Sequence, residues 1–181
     1  MKEISLNILD IAENSVKAGA TLTEITVNET DDTLTLKISD NGCGMTAETL
    51  KAVTDPFYTT RTTRKVGMGL PLLKMEAEQT GGTFGILSKA ESEYPEDHGT
   101  KVTAVFNKKH IDYTPLGDVV SSIVTLIQGH PDTDFLFTHI YGSKSVTLDT
   151  RELRAVLEEV PLNSYEVLKF IEETLRKEEN I

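Results

Sequence analysis

The residues best suited to chemistry are Asp40-Asn41-Gly42-Cys43-Gly44, which follow the alternating run Leu34-Thr35-Leu36-Lys37-Ile38-Ser39. Such alternation predicts a half-buried strand, so a carboxylate falls where a strand ends and two glycines follow it. Glycine removes the side chain that would keep a flat ligand off the backbone. An ionised carboxylate accepts a hydrogen bond from an exocyclic amine on such a ligand. Taken alone, the stretch reads as a strand running into a turn, and its company carries the functional reading. Asp10, Asn14 and Lys17 are spaced by four and three, so on a helix they share one stripe, neighbours about 5–6 Å apart. Gly67-Met68-Gly69-Leu70-Pro71 sets two glycines ahead of a proline, and proline suits a helix's first turn because its missing N–H would be unpaired there. Free N–H groups at such a start favour an anion. His98-Gly99-Thr100 leads into a further strand.

These stretches need elements to hold them. Residues 3–18 predict an amphipathic helix, with Ile4, Ile8, Ile11 and Ser15 on one face, Leu9, Ala12 and Val16 beside it, and Gly19 as its stop. Strands are expected at 24–28, 34–39, 83–88 and 101–106, with a helix from about residue 70 to Gly81-Gly82. Residues 45–66 read as irregular; Arg61, Arg64 and Lys65 among threonines suit either phosphates or plain solvent. An acidic excursion runs from Glu91 to Asp97, and 107–114 reads as a linker. Beyond it Thr114-Pro115 is expected to cap a helix carrying Leu116, Val119, Val120, Ile123, Val124 and Ile127 at helical spacing. A hairpin of 135–141 and 144–148 should turn at Gly142-Ser143. Asp149 with Glu152 forms a capping-box pattern before helices at 150–160 and 164–178. His139 is expected to fill a pocket in mid-strand. His98, His110 and His130 fall in loops or linkers, away from any carboxylate-bearing helix pattern.

Composition narrows the function. A chain of 181 residues suits one mid-sized domain, or one plus an appendage. A net charge of -11 argues against a general nucleic-acid or anionic-membrane binder. The single cysteine, Cys43, excludes an internal disulfide and a cysteine-based zinc site, and reads as a small packed residue. The start, Met1-Lys2-Glu3-Ile4, is not a signal peptide, and no apolar run is long enough to span a bilayer. The cytoplasm is the expected compartment, with neither nucleic acid nor membrane as partner.

In this order the motifs resemble the GHKL ATP-binding superfamily of gyrase-type topoisomerases, a heat-shock chaperone, histidine kinases and mismatch-repair ATPases. The helix Leu9-Asp10-Ile11-Ala12-Glu13-Asn14-Ser15-Val16-Lys17-Ala18-Gly19-Ala20 is most similar to the mismatch-repair members. Asp55-Pro56-Phe57-Tyr58-Thr59-Thr60 and Gly67-Met68-Gly69-Leu70-Pro71-Leu72 are more similar to histidine kinases. The resemblance covers roughly residues 3 to 107. It implies an α+β chain: a two-layer α/β sandwich, the Bergerat ATP-binding fold, over 1–107, with a small α+β extension of no recognised family over 108–181. It also implies ATP and Mg2+ as cofactors. Asn14 would ligate the ion and Lys17 touch a phosphate. Asp40 would take the adenine amine with Gly42 and Gly44 flanking the base, and Thr100 would support the pocket behind it. Gly67 and Gly69 would bring backbone N–H groups to the phosphates, with Leu70 beside them. Arg61, Arg64 and Lys65 are the lid candidates for the outer phosphates.

Asp10 departs from the pattern. Hydrolytic members of the superfamily carry a glutamate there as general base, and aspartate is one methylene shorter. A misplacement of about 1 Å costs on the order of a hundredfold in rate. Asp10 is therefore either a slow base, a magnesium-shell group or a solvated helix carboxylate. Glu13 is adjacent but points about 100° away from Asn14. The sequence opens on the nucleotide helix without the hairpin that carries the phosphorylated histidine in histidine kinases, so kinase action is expected in trans. The expected function is an ATPase switch or a trans-acting protein kinase, the alternative a nucleotide-sensing module with little turnover. The extension would then supply a surface for a protein partner, a protein substrate or a second copy of the chain.

Overall fold

Alternation in the strands and 3.6-residue periodicity in the helices produce one sheet with its helices on one face. The structure, a computed structural model, describes residues 2–54 and 68–179. In chain order the elements are α1 (Ile4–Lys17), β1 (Leu22–Glu29), β2 (Thr33–Asp40), α2 (Ala47–Thr54), α3 (Gly69–Gln79), β3 (Thr83–Lys89) and β4 (Gly99–Asn107). There follow α4 (Val119–Gly129), β5 (Asp134–Tyr141), β6 (Lys144–Asp149), α5 (Thr150–Leu157) and α6 (Tyr165–Glu179). The strands form one six-stranded sheet in the order β3-β4-β2-β1-β5-β6. Every neighbouring pair is antiparallel except β1 with β5.

Register puts the apolar residues in rows across the sheet. Ile25 lies opposite Ile38, which lies opposite Val102, and Ile25 also pairs with Phe137. All four are buried beneath the helices, with Ile4, Ile8, Leu73, Val120, Ile123 and Ile171 from the helix layer. Burial of each such side chain contributes roughly 1.5–3 kcal/mol. The next row, Thr26, Lys37 and Thr103, has the opposite parity and faces away. The result is the two-layer α+β sandwich that the sequence implies. Among the described residues no helix is long and apolar enough to cross a membrane.

Three local expectations are corrected. Cys43, read as a small packed residue, is exposed. Residues 47–54, read as irregular, form α2, whose start is bonded by the Thr46 hydroxyl accepting from the Thr49 amide at 3.3 Å. Ala47, Glu48, Leu50 and Lys51 are good helix formers, and the glycines just upstream obscured them. Thr114-Pro115 does not cap the following helix; Asp118 does, accepting from the Ser121 amide at 2.9 Å. Pro115 and Leu116 instead offer their carbonyls to the Ile4 and Ser5 amides at 2.9 and 2.8 Å. Those amides open α1, whose own N-cap residue Glu3 makes no side-chain cap bond, so the segment after β4 satisfies donors that would otherwise be orphaned. Asp149 is the N-cap of α5, its carboxylate accepting from the Arg151 amide at 2.9 Å.

Candidate functional site

β2 ends on Asp40, and what surrounds that carboxylate defines the site. Asp40 Oδ1 accepts from the Gly42 amide at 2.9 Å and the Thr100 amide at 3.3 Å. Its Oδ2 accepts from the Ser15 hydroxyl at 2.7 Å. A carboxylate offers about four acceptor positions; among the described residues three are filled, and one is left on Oδ2. Register explains the convergence: Asp40 pairs with Thr100 across β2 and β4, and α1 lays Ser15 over the strand end.

Beside Asp40 lies a cavity of about 230 Å³. Ile11, Ile38, Met45, Leu70 and Val102 give it apolar walls, while Asn14, Lys17, Asp40 and Thr100 bring polar groups to it. This is smaller than the roughly 300 Å³ at which sites for drug-sized ligands begin, so it suits a flat ring system rather than a whole nucleotide. Gly44 lines it in the left-handed region, at φ +63°, and a Cβ there would lie 1.9 Å from the Lys89 carbonyl oxygen. A Cβ on Gly42 would come within 2.9 Å of the Ala18 side chain. Only glycine fits this turn at either place.

The expected site residues thus divide into three groups. Asn14, Lys17, Asp40, Gly44, Leu70 and Thr100 line the cavity. Gly42 and Gly69 back it: a Cβ on Gly69, the first residue of α3, would stand 2.6 Å from Asp10 Oδ2. Asp10 therefore lies against the start of α3, not in the cavity wall. One turn further back, the buried Asn7 donates to the buried Glu76 at 2.5 Å and ties α1 to α3. Arg61, Arg64, Lys65 and Gly67 lie outside the described residues. Asn14 Nδ2 is buried with no hydrogen-bond partner among the described residues; an unpaired buried group costs about 1–3 kcal/mol.

Several contributors went unseen in the sequence. Ser15 left a faint signal, since it continues the apolar stripe of Ile4, Ile8 and Ile11 with a hydroxyl. Ser88 accepts from the Met45 amide at 2.8 Å and shares a hydrogen bond with the Thr100 hydroxyl at 2.8 Å. His98 Nδ1 lies 2.6 Å from the Gly42 carbonyl oxygen. His130, expected to stand apart from helix carboxylates, lies 2.7 Å from Glu13 of α1. Its partner is 117 residues away in sequence, which no spacing rule reaches. Among the described residues no three His, Cys, Asp or Glu side chains gather to hold a metal.

A carboxylate-marked cavity at the open end of a two-layer sandwich, beside a helix start, defines the class of site. The family model described as histidine kinase-, DNA gyrase B-, and HSP90-like ATPase matches residues 2–110, and the chain belongs to that family. Over 86 residues the chain is 33% identical to a probable C4-dicarboxylate sensor kinase of Bacillus subtilis (strain 168), a match covering 48% of this chain and 15% of that protein. Over 94 residues it is 33% identical to the sensor protein SrrB of Staphylococcus aureus (strain NCTC 8325 / PS 47), covering 49% of this chain and 16% of that one. The chain thus matches only about a sixth of the length of these relatives. Among solved structures it is similar to the Aquifex aeolicus MutL ATPase domain complexed with ADP, with a TM-score of 0.53, 14% identity, and coverage of 87% of this chain and 70% of that one. It is also similar to the N-terminal domain of a DNA repair protein, with a TM-score of 0.57, 15% identity, and coverage of 82% and 53%. At such identities these likenesses speak for the fold.

Proposed function

We propose that the chain binds Mg-ATP at the Asp40 cavity and acts by phosphoryl transfer from it, as an ATPase switch or as a protein kinase acting on a partner. The observation that carries this reading is the single acceptor position left on Asp40 beside an apolar cavity. It matches one exocyclic amine, and it would repel a carbonyl at the same position of the ring. The base would sit between Ile38, Met45, Leu70 and Val102. The phosphates would run toward α3, whose first N–H groups and dipole favour negative charge, with Lys17 reaching one of them.

The donor set also fits magnesium, which keeps several waters and takes few protein oxygens. Asn14 would hold it: an amide whose buried nitrogen has no partner among the described residues can turn its oxygen to an ion without giving up a bond from that nitrogen to them. The ion would supply charge neutralisation at the phosphates. Asp10 stands where it could orient a water or join the outer shell of the ion. One observation favours the alternative, a nucleotide-sensing module with little turnover: the residue at the base position is Asp10, one methylene shorter than the glutamate of hydrolytic members. Residues 108–181 would serve a protein partner or a second copy of the chain.

Labelled ATP decides among these. The purified protein with Mg2+ is compared with Asp10→Asn, with and without a cell lysate. Turnover lost on substitution supports the enzyme, a labelled protein band the kinase, and free phosphate alone the switch. ATP binding with no turnover in either protein supports the sensor. Absence of ATP binding by the wild type refutes the proposal.

A further inference from the structure

The acidic excursion between β3 and β4 does more than connect them. Its first residue, Glu91, donates its amide to the Cys43 carbonyl at 2.8 Å. Its last neighbour, His98, sets Nδ1 2.6 Å from the Gly42 carbonyl oxygen. A carbonyl only accepts, so Nδ1 carries the proton. The Cys43 amide in turn donates to the Ala18 carbonyl at the end of α1, at 2.8 Å. The Gly42–Cys43 peptide is thereby held at both ends, by the excursion through its oxygen and by the nucleotide helix through its nitrogen. Gly42 is also the residue whose own amide donates to Asp40 Oδ1 at 2.9 Å. One glycine therefore links the His98 imidazole to the carboxylate that marks the site. The excursion is itself braced, since Lys89 at the end of β3 pairs with Asp97 and lies 5.7 Å from the centre of the Tyr94 ring.

We infer that His98 is a positioning residue for base recognition: by fixing the Gly42 carbonyl, it aims the free acceptor of Asp40 and sets how strongly the site prefers adenine to a purine without the 6-amine. This rests on the ATP-site reading above. Without the imidazole, the Gly42 peptide loses its outer tether and Asp40 one source of its fixed orientation. The base-dependent part of the affinity falls, while contacts to the phosphates, made from α1 and α3, stay.

The test is the ratio of ATP to ITP affinity by calorimetry, for wild type, His98→Ala, His98→Asn and His98→Gln. ITP carries a carbonyl where ATP carries the amine. Asparagine keeps a donor at the δ position, near that of Nδ1; glutamine moves it one bond further out. Wild type and His98→Asn are expected to prefer ATP, and His98→Ala and His98→Gln to lose about five- to tenfold of that preference, the scale of one hydrogen bond. A general loss of stability lowers the melting temperature without moving this ratio in the folded protein. An unchanged ratio in His98→Ala, or no recovery in His98→Asn, overturns the role of His98. Equal affinity of the wild type for ATP and ITP overturns the ATP-site reading and the inference with it.

Discussion

The two ends of β1 hold two polar clusters that are opposites. At its start, Thr23 pairs with Asp40, and polar groups there are left open: one acceptor on Asp40 and the buried Asn14 nitrogen. At its other end, about 20 Å along at roughly 3.4 Å per residue, Glu29 joins a cluster with nothing left over. His139 donates Nδ1 to Glu179 at 2.7 Å and Nε2 to Glu29 at 3.1 Å. Since carboxylates only accept, the ring is an imidazolium. Lys108 completes the charge balance at 2.7 Å from Glu29, and the Tyr141 hydroxyl donates to the Glu178 carbonyl in the last turn of α6.

The closed cluster has a perturbed titration and borders the larger of the two cavities, about 670 Å³. Burial opposes the charge on His139, but its hydrogen bonds to Glu179 and Glu29 prevail and raise its pKa to about 9. The bond from His139 comes first in lowering Glu29 to about 2; Lys108 adds to it against burial. Perturbed pKa values mark functional sites and structural ion networks alike. Unfilled valence separates the two here: the His139 cluster fastens α6 to the sheet, while the Asp40 end has bonds still to make.

Removing His139 should give the largest effect. His139→Leu leaves the buried Glu179 carboxylate without its partner and facing the half-buried Glu29, and should cost about 3 kcal/mol in denaturant unfolding, with ATP affinity kept within about twofold. A loss of affinity as large as the loss of stability would break the comparison. A pH series sharpens it. The folded pKa of His139 lies above its ordinary 6.5, so its contribution is complete below about 6.5 and is lost as pH climbs through 9. The folded pKa of Glu29 lies below its ordinary 4.5, so its contribution holds above about 4.5 and is lost as pH falls toward 2. The stability advantage of wild type over His139→Leu should therefore shrink by on the order of 2 kcal/mol between pH 6.5 and 9.

At the open end the signs reverse, with function moving and stability staying. Asn14→Ala should leave stability within about 1 kcal/mol, because the amide nitrogen has no bond to lose. With Asn14 as the proposed direct ligand, its loss should weaken magnesium-dependent ATP binding by at least about tenfold, the lower end for losing even an outer-shell partner at a metal. Ser15→Ala should have the smallest effect, a three- to tenfold weaker ATP affinity from a less firmly held Asp40, read by the same titration.

The sequence made one side of this comparison far more legible than the other. Asp40, Asn14, the glycines and the periodic faces of α1 and α3 are local patterns. The strands were found by alternation, and His139 was expected to fill a pocket. The partners of His139 were not foreseeable: Glu29 lies 110 residues away and Glu179 lies 40. The parallel pairing of β1 with β5 leaves no periodic trace, because alternation within a strand does not name its neighbour. The same holds for His98 and Gly42, which are 56 residues apart. Spacing rules capture contacts within a turn or two, and the remaining contacts exist only once the sheet has formed.

The most direct measurement is a calorimetric titration of ATP with Mg2+ into wild type and Asp40→Asn. The substitution keeps the shape, and the amide oxygen can still meet the Gly42 and Thr100 amides, but it turns the open acceptor into a donor facing the incoming amine. Saturable heat in the wild type and none at millimolar ATP in a stably folded Asp40→Asn is the result expected. No heat in the wild type, or wild-type affinity in Asp40→Asn, would contradict the account.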